Sequence, residues 1–337
     1  MRRTTLALAA ALLGVTLAAV AFEALVRAIS GPQVRFPSRV VEAPWGLRMN
    51  EPNAVYRHQS ADVHVEIRID ADGFRADRDH PRDKPAGVRR IVAVGDAFTL
   101  GAAVEREQTF SSVLESELRK AGLTVEVLNA GVPGFGTAEE CLYLERALFG
   151  YEPDLVLVSF RADDLEENAR SDLLRFDGRK LEAGQERYAP GLLPRNALFD
   201  LVASHSDAWA LLRDRLAPAP PKRDDADLFA QQRLAAAIFE RIYRDGRGRR
   251  VPIVIQSIPS SDLEDAFPAF DANRQGLLLV AARAALEAHA GNDPLYYARS
   301  HQHWTPLAHR LAGEALARAI LDARLLEPAP GPKPASP

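Results

Sequence analysis

Short apolar runs that alternate with helical segments constrain the fold of this 337-residue chain more than any other feature. The runs lie at residues 90–94, 124–128, 154–160 and 251–255. Runs of this length fit strands that are buried on both faces of a parallel sheet. Their alternation with helices predicts a doubly wound, mainly parallel α/β sheet between two helical layers. The helical segments are predicted at about 107–121, 137–149, 226–244, 272–289 and 305–323.

The N-terminus carries a targeting or anchoring signal. Arg2 and Arg3 precede an uncharged, mostly apolar run over residues 4–22, close to the length that spans about 30 Å of hydrocarbon as a helix. The two arginines predict that the N-terminus stays in the cytoplasm and that the rest lies outside. Residues 4–29 are expected to anchor the chain to the inner membrane. A signal peptide cleaved near residues 19–21, which would release the chain to the periplasm, is the alternative.

The rest of the chain divides by composition. An alternating stretch at residues 63–69 predicts an edge strand or hairpin arm, within a segment rich in Pro, Arg and Asp that is expected to pack on the core. A charged and proline-containing stretch predicts an insertion within the core domain, and the proline-rich end predicts a disordered tail. The predicted boundaries are 1–30 for the leader, 31–86 for the linker and edge segment, 87–325 for the core domain, 165–225 for its insertion and 326–337 for the tail.

Composition excludes some functions and leaves others open. The net charge of -4 gives no overall basic field that would attract nucleic acid, so no nucleic-acid partner is predicted. A single cysteine, Cys141, excludes an internal disulfide and is expected to be a buried apolar residue.

Four motifs stand at the predicted strand ends or before the last helix: Gly95–Ala97, Asn129–Gly134, Asp163-Asp164 and His301–His303. In order and position they resemble the Gly-Asp-Ser block, the second block, the Asn-Asp block and the Asp-x-His block of the SGNH/GDSL hydrolase superfamily. Ligand sites in open α/β sheets lie at the carboxyl ends of strands. The resemblance implies a three-layer α/β/α, flavodoxin-like fold, and ester hydrolysis or acyl transfer on a glycan or lipid, with no cofactor.

The resemblance also implies which positions carry the chemistry, and three of them are changed. In the family a serine attacks the carbonyl, a carboxylate orients the histidine base, and backbone N–H groups with an asparagine amide hold the oxyanion. Ala97 takes the place of the serine, Asp163 that of the asparagine and His301 that of the carboxylate. Gly134 keeps its oxyanion N–H and His303 keeps the position of the base.

These replacements predict a catalytically inactive or impaired protein. A methyl group cannot attack a carbonyl, an ionised Asp163 would repel an oxyanion, and an imidazole at His301 cannot supply negative charge. Asp96 and Trp304 are expected to be structural, Asp96 through bonds to the loop backbone and Trp304 through packing beside His303.

Three alternatives stay open at this point. The chain could be an active extracytoplasmic esterase or acyltransferase in which His303 activates a water by a variant mechanism. It could instead hold a metal ion between Asp96, Asp163, His301 and His303, since carboxylates and imidazoles are ligands of zinc and manganese. A displaced hydroxyl could also act as nucleophile, and its candidates are Thr99, Ser111, Ser112 and Ser159.

Overall fold

The computed structural model describes residues 2–37, 39–190, 197–216, 225–259, 273–289 and 291–326. The described α-helices are α1 (Arg2–Ser30), α2 (Ala97–Leu100), α3 (Phe110–Lys120), α4 (Thr137–Arg146), α5 (Asp164–Ser171), α6 (Ala197–His205), α7 (Asp207–Leu216), α8 (Asp225–Arg249), α9 (Ala282–Glu287) and α10 (Pro306–Asp322). The described strands are β1 (Val40–Glu42), β2 (Arg48–Asn50), β3 (Val55–Gln59), β4 (His64–Arg68), β5 (Arg89–Gly95), β6 (Val125–Gly131), β7 (Leu155–Phe160), β8 (Leu174–Phe176), β9 (Leu181–Ala183), β10 (Ile253–Ser257) and β11 (Leu277–Ala281).

The core of the molecule is a five-stranded parallel sheet in the order β11-β10-β7-β5-β6. In the interior strand β5, Val94 lies opposite Ala130 of β6 and Val158 of β7. The residues of β6, β7 and β10 are buried throughout, as expected for strands that have neighbours on both faces. The predicted doubly wound α/β sheet is confirmed.

The two faces of the sheet are covered by different helices. Val92 and Val94 point to one face and belong to a core that includes residues of α4 and α8. Ile91 and Ala93 point to the other face and pack with residues of α3 and α10. Because successive strand residues alternate between faces, β5 contributes to both cores, and the molecule has the predicted three layers.

One element of the core differs from its prediction. The helix predicted at about 272–289 is wrong, because Leu277–Ala281 forms strand β11 on the edge of the sheet and only Ala282–Glu287 is helical. The run at 277–280 is apolar throughout, and periodicity alone does not separate a short strand of this kind from a buried helix. Its backbone pairs with the outer side of β10, and this favours the strand.

The segment before the core forms two antiparallel pairs, β1-β2 and β3-β4. The alternating stretch at 63–69 is confirmed as a hairpin arm, with Val65 and Ile67 of β4 buried. Helix α1 precedes these pairs, and its stretch Arg3–Ser30 is long and apolar enough to cross a membrane, with a mean hydropathy of 2.3 in its most apolar window.

The predicted insertion contains most of α5, the β8-β9 pair and helices α6 and α7. Helix α7 packs against α1, so the insertion contacts the N-terminal helix. The proline-rich run at 218–221 and the predicted tail from residue 327 lie outside the described residues.

Candidate active site

The loops of the first two blocks are joined by hydrogen bonds and close packing. The Asn129 amide, near the end of β6, donates to the carbonyl of Thr99 at 2.7 Å and to Ser111 Oγ at 3.0 Å. Gly131 follows on the same strand, and a Cβ at this position would lie 2.2 Å from the backbone N of Leu100. A glycine is therefore required here, because the backbone of α2 packs directly on the second block.

Arg75, from the segment before the core, supports the first block from beneath. Its guanidinium is buried and donates to the carbonyls of Leu100 and Gly101 and, at 2.6 Å, to that of Val104. These carbonyls terminate the short helix α2 and the turn after it. Arg75 thereby satisfies the carbonyls of Leu100 and Val104, which would otherwise be buried without partners, and adds a second donor to the carbonyl of Gly101, which also accepts from the backbone N of Val104.

Asp96 and Ala97 show what the first block retains. Asp96 Oδ1 accepts from the backbone N of Phe98 at 2.8 Å and caps the N-terminus of α2, which confirms its structural role. Ala97 is half-buried and is the first residue of α2. Its methyl group offers neither a nucleophile nor a hydrogen-bonding atom at the position that a serine would occupy in the family.

Arg161 joins the first block to the third, and the sequence analysis missed it. Its Nη1 donates to Asp96 Oδ2 at 2.9 Å and its Nη2 to Asp163 Oδ2 at 2.7 Å. Its Cζ lies 4.3 Å from the ring centroid of Phe98, close enough for a cation–π contact. The signal that could have revealed it is its place as the first residue after β7, where strand-end residues reach the site.

The ion pair with Arg161 changes what is expected of the Asp163 carboxylate. Its side chain is paired with a guanidinium and is partly exposed, so its negative charge is compensated by Arg161. A carboxylate held in this way presents acceptor oxygens. It lacks the N–H donors that an asparagine amide would direct at an oxyanion.

His303 reaches the first block, as predicted from its position. Its ring stacks on Phe98 with centroids 4.6 Å apart and planes 19° apart. Trp304 beside it is fully buried and contacts Phe98 edge to face, which confirms its packing role. Burial, reinforced by the positive charge of Arg161, holds the pKa of His303 well below its usual value, so the ring is neutral at physiological pH.

His301 does not join His303 at the site. His301 and Gln302 both have left-handed backbone conformations, with φ of 49° and 55°, and the His301 side chain is 56% exposed. Its Nε2 lies 3.6 Å from Asp214 of α7. The structure therefore directs the residue at the acid position toward the insertion.

This geometry also removes support for the metal-site alternative. Asp96 and Asp163 are paired with Arg161, while His301 faces α7. Within the part of the chain that the structure describes, there is no group of three or more His, Cys, Asp or Glu side chains placed to hold a metal ion.

Gly134 lies in the loop after β6 with φ of 78°. Its carbonyl accepts from Arg48 Nη2, and Arg48 pairs in turn with Glu139 at 2.9 Å. A left-handed glycine fits this turn, and the second block is thus tied to β2. No contact in the described residues tests the oxyanion role of its N–H.

Three of the four alternative hydroxyls are hydrogen-bonded elsewhere, and the fourth, that of Thr99, is buried without a hydrogen-bond partner among the described residues. Thr99 is buried against Gly95, and Ser111, Ser112 and Ser159 make hydrogen bonds to other residues of the fold. Among the described residues, none of these hydroxyls is hydrogen-bonded to the ring of His303. The displaced-nucleophile alternative therefore has no support in the geometry.

Carboxyl groups crowd beneath the third block. Glu140 is fully buried, and neither of its carboxyl oxygens has a hydrogen-bond partner among the described residues. Asp164 is also buried and accepts from Thr137 Oγ1 at 3.0 Å. Burial and the neighbouring carboxylates raise the pKa of both groups well above their usual values and raise the pKa of Glu167 to about 8. Much of this cluster is therefore protonated at neutral pH.

A second buried histidine, His58 of β3, approaches the site from the hairpin. Its Nε2 lies 2.7 Å from Ser300 Oγ, and its ring meets that of His303 edge to face at 6.2 Å. Burial lowers the pKa of His58 to about 4. The alternation of β3, in which Tyr56 and His58 are the inward positions, is the signal that could have identified it.

The solved structures that are similar to this chain include lipases and esterases. No protein-family model and no curated protein matches the chain. The similar solved structures include a GDSL-like lipase from Bacteroides thetaiotaomicron, at 12% identity over 70% of this chain and 89% of that one, with a TM-score of 0.36. A family 3 carbohydrate esterase from Clostridium thermocellum is similar at 11% identity over 71% and 98%, with a TM-score of 0.40.

A two-domain esterase active on acetylated mannans is similar at 12% identity over 74% of this chain and 54% of that one, with a TM-score of 0.43. The similar solved structures thus include lipolytic proteins of the GDSL kind and carbohydrate esterases. Similarity at this level assigns no activity and no residue role to the chain.

Proposed function

We propose that this chain is a membrane-tethered, extracytoplasmic protein of the SGNH/GDSL type that has lost serine-based ester hydrolysis and acyl transfer. The observation that carries the proposal is the side chain at position 97. Ala97 starts α2 between the capping carboxylate of Asp96 and the ring of Phe98, and it offers no atom that can form an acyl-enzyme intermediate.

The side chains around Ala97 support the same conclusion. Arg161 forms ion pairs with both Asp96 and Asp163. The side chain at the predicted oxyanion position is thus a paired carboxylate and not an amide. His303 is neutral and stacked on Phe98, and no carboxylate among the described residues is hydrogen-bonded to its ring to orient it and stabilise its protonated form. A base whose pKa lies this far below neutrality has little tendency to accept a proton from water.

The ligand that we propose for the site is a glycan or lipid of the cell envelope, bound without turnover. Three features support this class of ligand: the order of the four blocks, the apolar helix α1, and the positive residues Arg2 and Arg3 at its start. One structural neighbour acts on acetylated mannans and another is a GDSL-like lipase, so both ligand types occur among proteins of similar fold.

An ester-hydrolysis assay tests the loss of activity. The full chain in detergent micelles is incubated with chromogenic esters of short and long acyl chains, beside His303→Ala. We expect the two proteins to release the chromophore at the same background rate. Turnover by the wild-type chain that disappears in His303→Ala would overturn the proposal in favour of a water-activating esterase.

A second set of variants asks whether position 97 alone explains the inactivity. Ala97→Ser restores only the nucleophile, and we expect it to stay inactive because the other changed positions remain. The triple variant Ala97→Ser, Asp163→Asn, His301→Asp restores all three family residues. Strong activity in the single variant would show that Arg161 and His303 still form a working site.

A further inference from the structure

A largely apolar cleft lies between α1 and the α6–α7 pair. It encloses about 630 Å³. The α1 side is formed by apolar and small residues, and the opposite side by leucines and a tryptophan. Its lining includes Thr16, Ala19, Val20, Leu201, Trp209 and Leu212.

The position of α7 along α1 is fixed by Glu23. Its carboxylate accepts from Ser206 Oγ at 2.7 Å and from the backbone N atoms of Asp207 and Ala208 at 2.9 and 3.0 Å. These are free donors at the start of α7, so a carboxylate of α1 caps a helix that begins 184 residues later in the chain. Arg27 adds an ion pair with Asp207 at 3.2 Å.

This attachment sets the cleft at the depth of the apolar part of α1. Thr16 and Val20 lie seven and three residues before Glu23, which corresponds to roughly 5–10 Å along the helix. Leu201 and Leu212 line the cleft at this level and are 56% and 42% exposed. If α1 spans a bilayer, these leucines lie where lipid begins.

Helix α7 has the composition of a helix that lies at a membrane surface. Trp209 and Leu212 face the cleft, Leu216 is 78% exposed, and Arg213 and Arg215 stand in its last turn. Apolar and aromatic residues together with arginines are typical of helices that rest at the boundary between lipid headgroups and acyl chains.

The loop of the fourth block is attached to the same structure. Arg299 Nη2 donates to the carbonyl of Ser30 at the end of α1, at 3.3 Å. His301 faces Asp214 of α7. The loop that carries His303 therefore contacts both α1 and α7, the helices that line the cleft. The candidate site thus lies at the end of the molecule that faces α1.

We propose that α6 and α7 are embedded in the outer surface of the membrane beside α1, and that the cleft between α1 and the α6–α7 pair holds an acyl chain of a membrane lipid. The inference rests on the proposed anchoring by α1. It selects lipid from the two ligand classes proposed above, because the fourth block is held against this lipid-facing end.

Tryptophan quenching by brominated lipid tests the placement of Trp209. The full chain is reconstituted into phosphatidylcholine vesicles with or without bromine on the acyl chains, and Trp209→Phe in the same vesicles supplies the contribution of the other tryptophans. We expect the bromine to reduce the Trp209 signal about twofold or more, since the side chain lies at the depth of the acyl chains.

Variants of the cleft separate lipid contact from general proximity. The double variant Leu201→Ser, Leu212→Ser is expected to reduce the quenching of Trp209 by about half. Leu321→Ser is the matched control, because Leu321 is 36% exposed on α10 and does not line the cleft. Its quenching should equal that of the wild type.

Flotation of the vesicles distinguishes the two proposals. Protein that floats with the vesicles while Trp209 stays unquenched would overturn the lipid cleft and leave the anchor standing. Protein that does not float would overturn the anchor and the cleft together. Equal loss of quenching in Leu321→Ser and in the double variant would also contradict a specific cleft.

Discussion

The loops beneath the candidate site and the side chains that project from it are maintained to different degrees. Beneath the site, the side chains of Asn129 and Arg75 donate hydrogen bonds to backbone carbonyls, and Gly131 leaves room for the helix that carries position 97. Above it, Ala97 carries no hydroxyl and His301 points toward α7. The contacts that hold the loops also hold the fold, whereas a nucleophile or an orienting carboxylate would serve only a reaction.

If the site has lost its chemistry as proposed, this difference explains why its motifs stay recognisable. We call a residue such as Arg75 or Asn129 a brace, because it donates hydrogen bonds to buried backbone carbonyls. Replacing a brace leaves several buried polar groups without a hydrogen-bond partner, and each such group costs about 1–3 kcal/mol. Removal of a nucleophile costs the fold very little. The predictions below test both sides of the comparison, beginning with the braces.

Arg75→Met should have the largest effect on stability. The substitution leaves the carbonyls of Leu100 and Val104 buried without a donor and removes one of the two donors to the carbonyl of Gly101, and we expect a loss of about 3–5 kcal/mol. Chemical denaturation of the full chain in micelles measures it. The control is Arg57→Met on the neighbouring hairpin, where the side chain is 66% exposed and the expected change is below about 0.5 kcal/mol. Similar midpoints for both variants would contradict the bracing role.

Gly131→Ala tests the close approach between the first two blocks. The added methyl would meet only backbone atoms, at 2.2–2.9 Å, so the loops must separate at an expected cost of about 2–3 kcal/mol. Gly248→Ala in α8 is the matched control. Its methyl would find nothing within 4 Å, and alanine in a helix is expected to stabilise by about 0.5–1 kcal/mol. A destabilisation of equal size in both variants would count against the packing argument.

Glu167→Gln tests the carboxyl cluster through pH. The folded chain raises the pKa of Glu167 to about 8 from a usual value of 4.5, so the folded state keeps a proton that the unfolded state releases between these values. The free energy of unfolding of the wild type should therefore fall as pH rises from 4.5 to 8. The glutamine variant lacks the part of this decrease that comes from Glu167, and it should be more stable than the wild type at pH 8 by roughly 1–3 kcal/mol. A constant difference between the two proteins from pH 4.5 to 8 would show that Glu167 is ionised throughout.

The sequence predicted the layered sheet and the convergence of the four blocks, because buried strands and strand-end loops leave patterns in the sequence that are local. It did not predict β11, since an apolar run such as 277–280 fits a strand or a helix equally well. It also missed Arg161 and His58, whose roles depend on which side chains meet across the sheet and the hairpin. Such meetings are set by packing between distant segments, and a single sequence carries little direct signal for them.

The smallest effect on the free energy of unfolding is expected at His301. This effect compares the braces with side chains that stand at the positions of reactive groups but do not hold the fold. His301 is largely exposed and lies 3.6 Å from a partly exposed carboxylate, so His301→Ala should change the free energy of unfolding by less than about 0.5 kcal/mol. His303→Ala removes a buried ring that stacks on Phe98 and should cost about 2 kcal/mol. The same denaturation measurement applied to both variants would place His303 with the parts that hold the fold and His301 with those that do not. If His301→Ala proved as costly as His303→Ala, the contact of the fourth block with α7 would have to be counted among the braces.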